Sequence, residues 1–223
     1  VQKAEWQNLE LKRIKINASA DEDAEPDLTR NIYFIIDGSG SMSERTGKKC
    51  GNTRNFRDKL AGAKWAVKQF ISTVPDSISI GLYIFDNNGR REVVPLGKNN
   101  RKEFLTQIEN IRAGGGTPLY DAIRFAADKL IEKYRSQLGY GEFRMVVVTD
   151  GIASHIYKAA KYAASYGIPL YSIGLCVDPD HPLRKYSVQY RAADNFEALS
   201  KGLSETLAEL PVYDLQEFKT EEK

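Results

Sequence analysis

The chain has 223 residues, 42% of them hydrophobic, and sets 32 basic against 30 acidic side chains for a formal net charge of +2. That length and apolar content suit one well-buried domain of ordinary soluble composition, and basic residues scattered among acidic ones exclude nucleic acid as the expected partner. No run is apolar for long enough to cross a bilayer and no secretory pattern opens the chain, so direct membrane insertion is not expected and the compartment is not readable.

In chain order, Leu9-Glu10-Leu11-Lys12 and Ile14-Lys15-Ile16 read as one strand with a phase slip, followed by an acidic linker from Asp21 to Asp27. The start at Val1 without Met reads as a processed product or a piece of something larger. The apolar run Ile32-Tyr33-Phe34-Ile35-Ile36 predicts a strand with Asp37 at its tip, where Gly38 and Gly40 allow a sharp turn. Glu44 to Arg57 is a polar stretch made locally basic by Lys48 and Lys49, with Arg45, Arg54, Arg57 and Lys59 around them. It is either a solvated loop or an attraction for an acidic partner. Leu60, Ala63, Val67, Phe70, Ile71 and Val74 then follow helical spacing up to Pro75.

Ser77 to Phe85 predicts a strand, turned by Asn87-Asn88-Gly89 into an edge strand near Glu92 to Leu96, where Pro95 is tolerable. Phe104, Leu105, Ile108 and Ile111 mark a short helix before Gly114-Gly115-Gly116-Thr117-Pro118, and Ala122, Ile123, Ala126, Leu130 and Tyr134 mark the helix after it. Phe143 to Thr149 and Ile168 to Val177 are nearly continuous apolar runs, as strands covered on both faces must be. Between them Ile156, Ala159, Ala160 and Ala163 give a small-faced helix ending at Gly167. Tyr186 to Arg191 predicts a last strand, and Phe196, Leu199, Leu203, Leu207 and Leu210 a final helix stopped by Pro211. Tyr213 to Phe218 is a strand candidate to pair with the N-terminal one.

Three short stretches carry the chemistry: Asp37-Gly38-Ser39-Gly40-Ser41, Thr117 in its glycine loop, and Asp150 in Thr149-Asp150-Gly151. Singly, they read as a turn or helix N-cap, a loop opening a helix with Thr117 as the cap, and a strand exit. Their joint placement in loops of one α/β chain, where sites gather beyond the carboxyl ends of strands, reads instead as one metal centre. Oxygen-only donors suit a hard cation that keeps several waters, Mg²⁺ or Mn²⁺ rather than zinc. With hydroxyls from Ser39, Ser41 and Thr117, and with Asp37 and Asp150 as the formal charges nearby, the cation stays under-neutralised and can accept a further carboxylate from outside.

These motifs resemble the metal-ion-dependent adhesion site of the von Willebrand factor type A (VWA) domain family. Asp37, Ser39 and Ser41 fall on its first motif, Thr117 on its second and Asp150 on its third. The resemblance implies a Rossmann-like, doubly wound α/β fold with a mostly parallel six-stranded sheet, one antiparallel edge strand and helices on both faces. It places the domain over residues 30–210, between extensions 1–29 and 211–223. It also implies an adhesion or interaction module whose metal captures an Asp or Glu of a protein partner, and a final helix that in adhesive relatives shifts when that happens. The polar stretch from Glu44 to Arg57 is longer than the family's usual turn.

An enzyme is not expected. The glycine loop lacks the Lys of a P-loop, no Gly-x-Ser-x-Gly elbow surrounds Ser39 or Ser41, and a hydroxyl-rich shell is poorly suited to generating hydroxide. A module working beside an ATPase and a metal-dependent hydrolase remain the alternatives, and a small-molecule ligand is not expected. His155 and His181 are isolated, each reading as a loop or capping residue. Cys50 and Cys176 are the only cysteines, and the sequence permits a bridge between them or two free thiols.

Overall fold

A computed structural model describes residues 29–45, 56–151, 156–176, 182–193 and 195–205. It alternates strands and helices: β1 (Arg30–Asp37), α1 (Lys59–Ile71), β2 (Ser79–Asp86), β3 (Gly89–Gly97), α2 (Arg101–Asn110), α3 (Leu119–Ser136), β4 (Glu142–Thr149), α4 (Ile156–Ser165), β5 (Leu170–Leu175), β6 (Gln189–Ala193) and α5 (Phe196–Glu205). The six strands form one sheet in the order β3-β2-β1-β4-β5-β6, with β3 antiparallel to β2 and every other pair parallel. This is the mixed Rossmann-like sheet expected from the sequence.

The burial pattern explains the order. Every residue of β2 and β5, and all but the first of β1 and β4, is buried, as strands with helices on both faces must be. The polar β3 is mostly exposed or half-buried and sits at the edge, where Pro95 interrupts no further ladder. Alternate residues of β1 feed opposite cores: Ile32, Phe34 and Ile36 pack with α1, α2 and α5, and Tyr33 and Ile35 with α3 and α4. Phe34 meets Phe70 and Phe104 edge-on, with ring centroids 5.8 and 5.4 Å away, so one strand residue anchors two helices.

Several boundaries differ from the sequence expectation for local reasons. Helix α1 stops at Ile71, short of Val74, because the hydroxyls of Ser72 and Thr73 turn back onto the carbonyls of Gln69 and Phe70, both at 2.7 Å. Val74 is nonetheless buried. Strand β3 begins at Gly89, straight out of the turn. The last strand starts at Gln189 rather than Tyr186, since Pro182–Lys185 forms a 3₁₀ turn that Tyr186 closes with a bond from its N–H to the Leu183 carbonyl. The expected strands at Leu9–Ile16 and Tyr213–Phe218, the loop basics Lys48, Lys49 and Arg54, both histidines and the helix positions Leu207 and Leu210 lie outside the described residues.

Cys176, directly after β5, is disulfide-bonded, and no cysteine among the described residues is free. The only other cysteine in the sequence, Cys50, lies outside the described residues. Among the described residues no helix is long and apolar enough to cross a membrane.

From β1 the chain first crosses to β2 on one side and later to β4 on the other. The carboxyl ends of β1 and β4 therefore flank the switch point, the place where loops diverge and leave a crevice.

Candidate metal centre

Asp37 closes β1, and the parallel register that sets Ile36 beside Val148 brings Asp37 level with Thr149 at the end of β4. Asp37 is fully buried. Its Oδ1 accepts the Ser39 N–H at 2.7 Å and its Oδ2 accepts the Thr149 hydroxyl at 2.5 Å. Thr149 in turn accepts the Gly151 N–H at 3.0 Å, which fixes the backbone after Asp150. Burial pushes the Asp37 carboxyl pKa up, against the hydrogen bonds from Ser39 and Thr149, and the nearby Asp150 charge adds to the rise.

After Gly38 the backbone enters a 3₁₀ turn over Gly40–Ser43, pinned beneath by the fully buried Met42. The turn brings the Ser39 and Ser41 hydroxyls to 3.1 Å from each other, and Ser41 donates to Asp150 Oδ1 at 2.7 Å. Gly38 is required by packing: a Cβ there would lie 2.7 Å from Ile111 Cγ2 and 2.9 Å from Asp86 Cβ. Gly40 meets no such obstruction, its nearest neighbour being the Gly115 carbonyl at 3.5 Å, so of the two expected turn glycines one is sterically obligatory.

The glycine loop is bound to the first motif through its backbone, Gly114 N–H donating to the Gly38 carbonyl at 2.9 Å and Gly40 N–H to the Gly115 carbonyl at 3.1 Å. Thr117 does not cap the following helix. Pro118 holds the cap position of α3 without any side-chain bond. Instead the Thr117 hydroxyl faces the centre: a Cβ placed on Gly151 would lie 3.0 Å from Thr117 Oγ1 and 3.6 Å from Asp37 Oδ2, so both oxygens border one small space. All five residues singled out in the sequence thus meet at one end of the sheet.

Three contributors have roles that the sequence does not assign. Lys59, noted there only as one of several basic residues around the polar stretch, begins α1 and lays its ammonium 2.9 Å from Asp150 Oδ2 and 2.8 Å from Glu44 Oε2. Asp37 and Asp150 are therefore joined by two further formal charges, those of Lys59 and Glu44, which corrects the expectation that these two aspartates are the formal charges nearby. Burial works to lower the Lys59 pKa, but the bonds to Glu44 and Asp150 outweigh it and the net shift is upward, while Lys59 holds the Glu44 carboxyl below its usual value. Thr149 acts on the orientation of Asp37. Asp86, at the end of β2, accepts the Asn88 N–H and an Arg91 guanidinium N–H, both at 2.8 Å, and the Arg112 N–H at 3.3 Å, tying the hairpin turn to the segment that leads into the glycine loop. A carboxylate at a strand end before Asn-Asn-Gly reads as part of a turn, and nothing in the sequence marks its reach to Arg112.

Among the described residues no three His, Cys, Asp or Glu side chains are grouped so that they could hold a metal ion. The donors that do converge are two carboxylates and three hydroxyls.

The von Willebrand factor type A domain model matches residues 31–219. The chain belongs to the VWA domain family. This VWA domain is 26% identical over 131 residues to mouse inter alpha-trypsin inhibitor, heavy chain 4, a match that covers 56% of the chain and 12% of that much longer protein. Among solved structures it resembles the pilus adhesin SpaC of Lactobacillus rhamnosus GG, with a TM-score of 0.61 at 16% identity over 80% of the chain and 30% of SpaC. It also resembles the manganese-loaded TRAP protein of Plasmodium vivax, with a TM-score of 0.53 at 16% identity over 82% and 75% of the two chains. At these identities the structural likeness establishes the shared fold.

Proposed function

We propose that this VWA domain is a metal-dependent protein-binding module whose centre holds one Mg²⁺ or Mn²⁺ through Asp37, Ser39, Ser41, Thr117 and Asp150, and whose ion captures an Asp or Glu side chain of a partner. The observation that carries the reading is Asp37, a fully buried carboxylate whose pKa burial pushes up, bordered by hydroxyl oxygens and touched by no cationic side chain among the described residues. A buried carboxylate costs free energy unless a cation or hydrogen bonds compensate it, and the surrounding hydroxyls are hard, neutral donors that would hold Mg²⁺ or Mn²⁺ beside waters and an outside carboxylate. Bound there, the ion supplies electrostatic attraction for a further carboxylate.

The chain's own residues do the positioning. Thr149 and the Ser39 N–H hold Asp37, and Ser41 bridges Ser39 to Asp150. Lys59, shared between the buried Asp150 and the exposed Glu44, offsets part of the Asp150 charge, so the buried side of the centre gives the ion less negative charge than two free carboxylates would, which favours an acid from outside. Two relatives in the fold comparison are named as a pilus adhesin and as manganese-loaded, which accords with the reading. No catalytic step is assigned, since hydroxyl donors are weak activators of water.

Thermal unfolding with and without Mg²⁺ tests the metal. Wild type gains stability by mass action and Asp37→Ala does not, whereas equal shifts in both proteins overturn the assignment. Capture from a source extract in Mg²⁺ against chelator then tests the partner. Binding vanishes in chelator and in Ser41→Ala, and changing one acidic residue of the partner to its amide abolishes it. Binding that survives chelator leaves the metal a structural role only.

A further inference from the structure

Lysine is an unexpected residue where α1 begins. The first turn of a helix presents unpaired N–H groups and the positive end of the helix dipole, so a cation there is disfavoured. Asp58 caps this turn by accepting the Ala61 N–H at 2.8 Å, and the Lys59 backbone N–H donates to the Glu44 carbonyl at 3.1 Å, so the base of the side chain is fixed. The Lys59 side chain is only 14% exposed, and its ammonium lies between an Asp150 carboxylate that is wholly buried and a Glu44 carboxylate that is 64% exposed. A local rule broken at a buried position next to a site points to a role in that site.

We propose that Lys59 is the centre's built-in counter-cation, which competes with the divalent ion for Asp150 and keeps the metal-free centre assembled. This rests on the metal reading above. In the absence of metal both oxygens of Asp150 are engaged, one by the Ser41 hydroxyl and one by the Lys59 ammonium that it shares with Glu44. An arriving divalent cation must share Asp150 with an ammonium or shift that ammonium towards Glu44, whose carboxylate already holds it and stands closer to solvent. Lys59 thereby lowers the affinity for the ion, so occupancy follows the surrounding divalent concentration instead of staying saturated. It also offsets one of the three carboxylates around the loaded centre, Asp37, Asp150 and the exposed Glu44, so that less negative charge opposes a partner's carboxylate.

Calorimetric titration with Mn²⁺ tests this on the wild-type chain, Lys59→Gln, Lys59→Arg and Lys68→Gln. Lys68 lies on the same helix and pairs with Glu109, away from the centre, so it controls for loss of one positive charge. A divalent ion and an ammonium a few ångströms apart repel by about a decade in affinity even at the dielectric of water, so Lys59→Gln is expected to bind Mn²⁺ about tenfold more tightly than wild type. Lys59→Arg and Lys68→Gln stay within about threefold of wild type, the size of a distant screened charge. Without metal, Lys59→Gln melts at a lower temperature than wild type, and saturating Mn²⁺ raises it by more.

If Lys59→Gln does not fold, the wild type still decides. The side-chain ammonium signal of Lys59 in nitrogen-15 lysine-labelled protein moves on titration with diamagnetic Mg²⁺, and a signal that stays put at saturation overturns the proposal. Equal or weaker Mn²⁺ binding by folded Lys59→Gln overturns the role of Lys59 while the metal reading stands. Absence of binding in both proteins overturns the two together, and binding by Lys59→Gln alone supports the proposal in its strongest form.

Discussion

Asp86 shows how a single carboxylate outside the proposed metal shell sustains it. Burial raises its pKa, but the Arg91 guanidinium and the N–H groups of Asn88 and Arg112 outweigh this and hold it below its ordinary value. A group with a lowered folded pKa stabilises the fold above its unfolded value, and that contribution is lost as the pH falls through the folded value. Asp86→Asn is therefore expected to cost about 2–3 kcal/mol at pH 7, the loss of charge-assisted bonds at a buried site. The gap between wild type and variant closes as the pH drops below the ordinary aspartate range, and chemical unfolding at both ends of that range checks it. A gap independent of pH assigns the loss to packing. Gly38→Ala is a steric counterpart, expected to destabilise by about 1–3 kcal/mol because the Ile111 side chain must move. At this scale the sequence yielded the residues that carry oxygen donors, since Asp-x-Ser-x-Ser, Thr and Asp can be read as types and spacings. It did not yield Lys59, Thr149 or Asp86, whose roles depend on which strand ends lie side by side and not on any local pattern.

Helices α1 and α5 meet through a contact that no periodicity announces. A Cβ on Gly62 would fall 2.2 Å from the Phe196 ring, so the bare backbone of α1 is the seat for the first residue of α5. Phe56 closes the same seat, with its ring centroid 4.9 Å from that of Phe196. Gly62→Ala would lift α5 away, with an expected loss of about 1–3 kcal/mol from overpacking. Hydrogen exchange should then show protection lost first over Phe196–Glu205 and retained in β1 and β4, while protection lost uniformly would mean that α5 is not a separable element. The element order was legible because buried parallel strands are nearly all apolar and the covering helices repeat every three to four residues. The boundaries missed were those set by side chains that bond to nearby backbone, as Ser72 and Thr73 do, or by the proline-led turn at Pro182–Lys185. Such choices are settled by competition between local bonds of similar strength.

For the molecule as a whole, the disulfide at Cys176 makes stability depend on redox state. Cys176→Ala, or reduction, is expected to lower unfolding stability by about 2–4 kcal/mol, and alkylation of unreduced protein followed by mass measurement should find no free thiol. Two alkylated cysteines in protein isolated without reductant would contradict this. The sheet order carries another consequence, one of time. Strand β1 lies in the middle of the sheet, yet one of its two neighbours, β4, comes far later in the sequence; the Thr149–Asp37 bond that closes their ends spans 112 residues. During synthesis β1, β2 and β3 can collapse as a half-sheet with the inner edge of β1 bare, an apolar edge open to pairing with any other strand until β4 emerges. Long-range parallel pairing is slow, so refolding yield should fall with protein concentration more steeply than the stability of the finished domain would suggest.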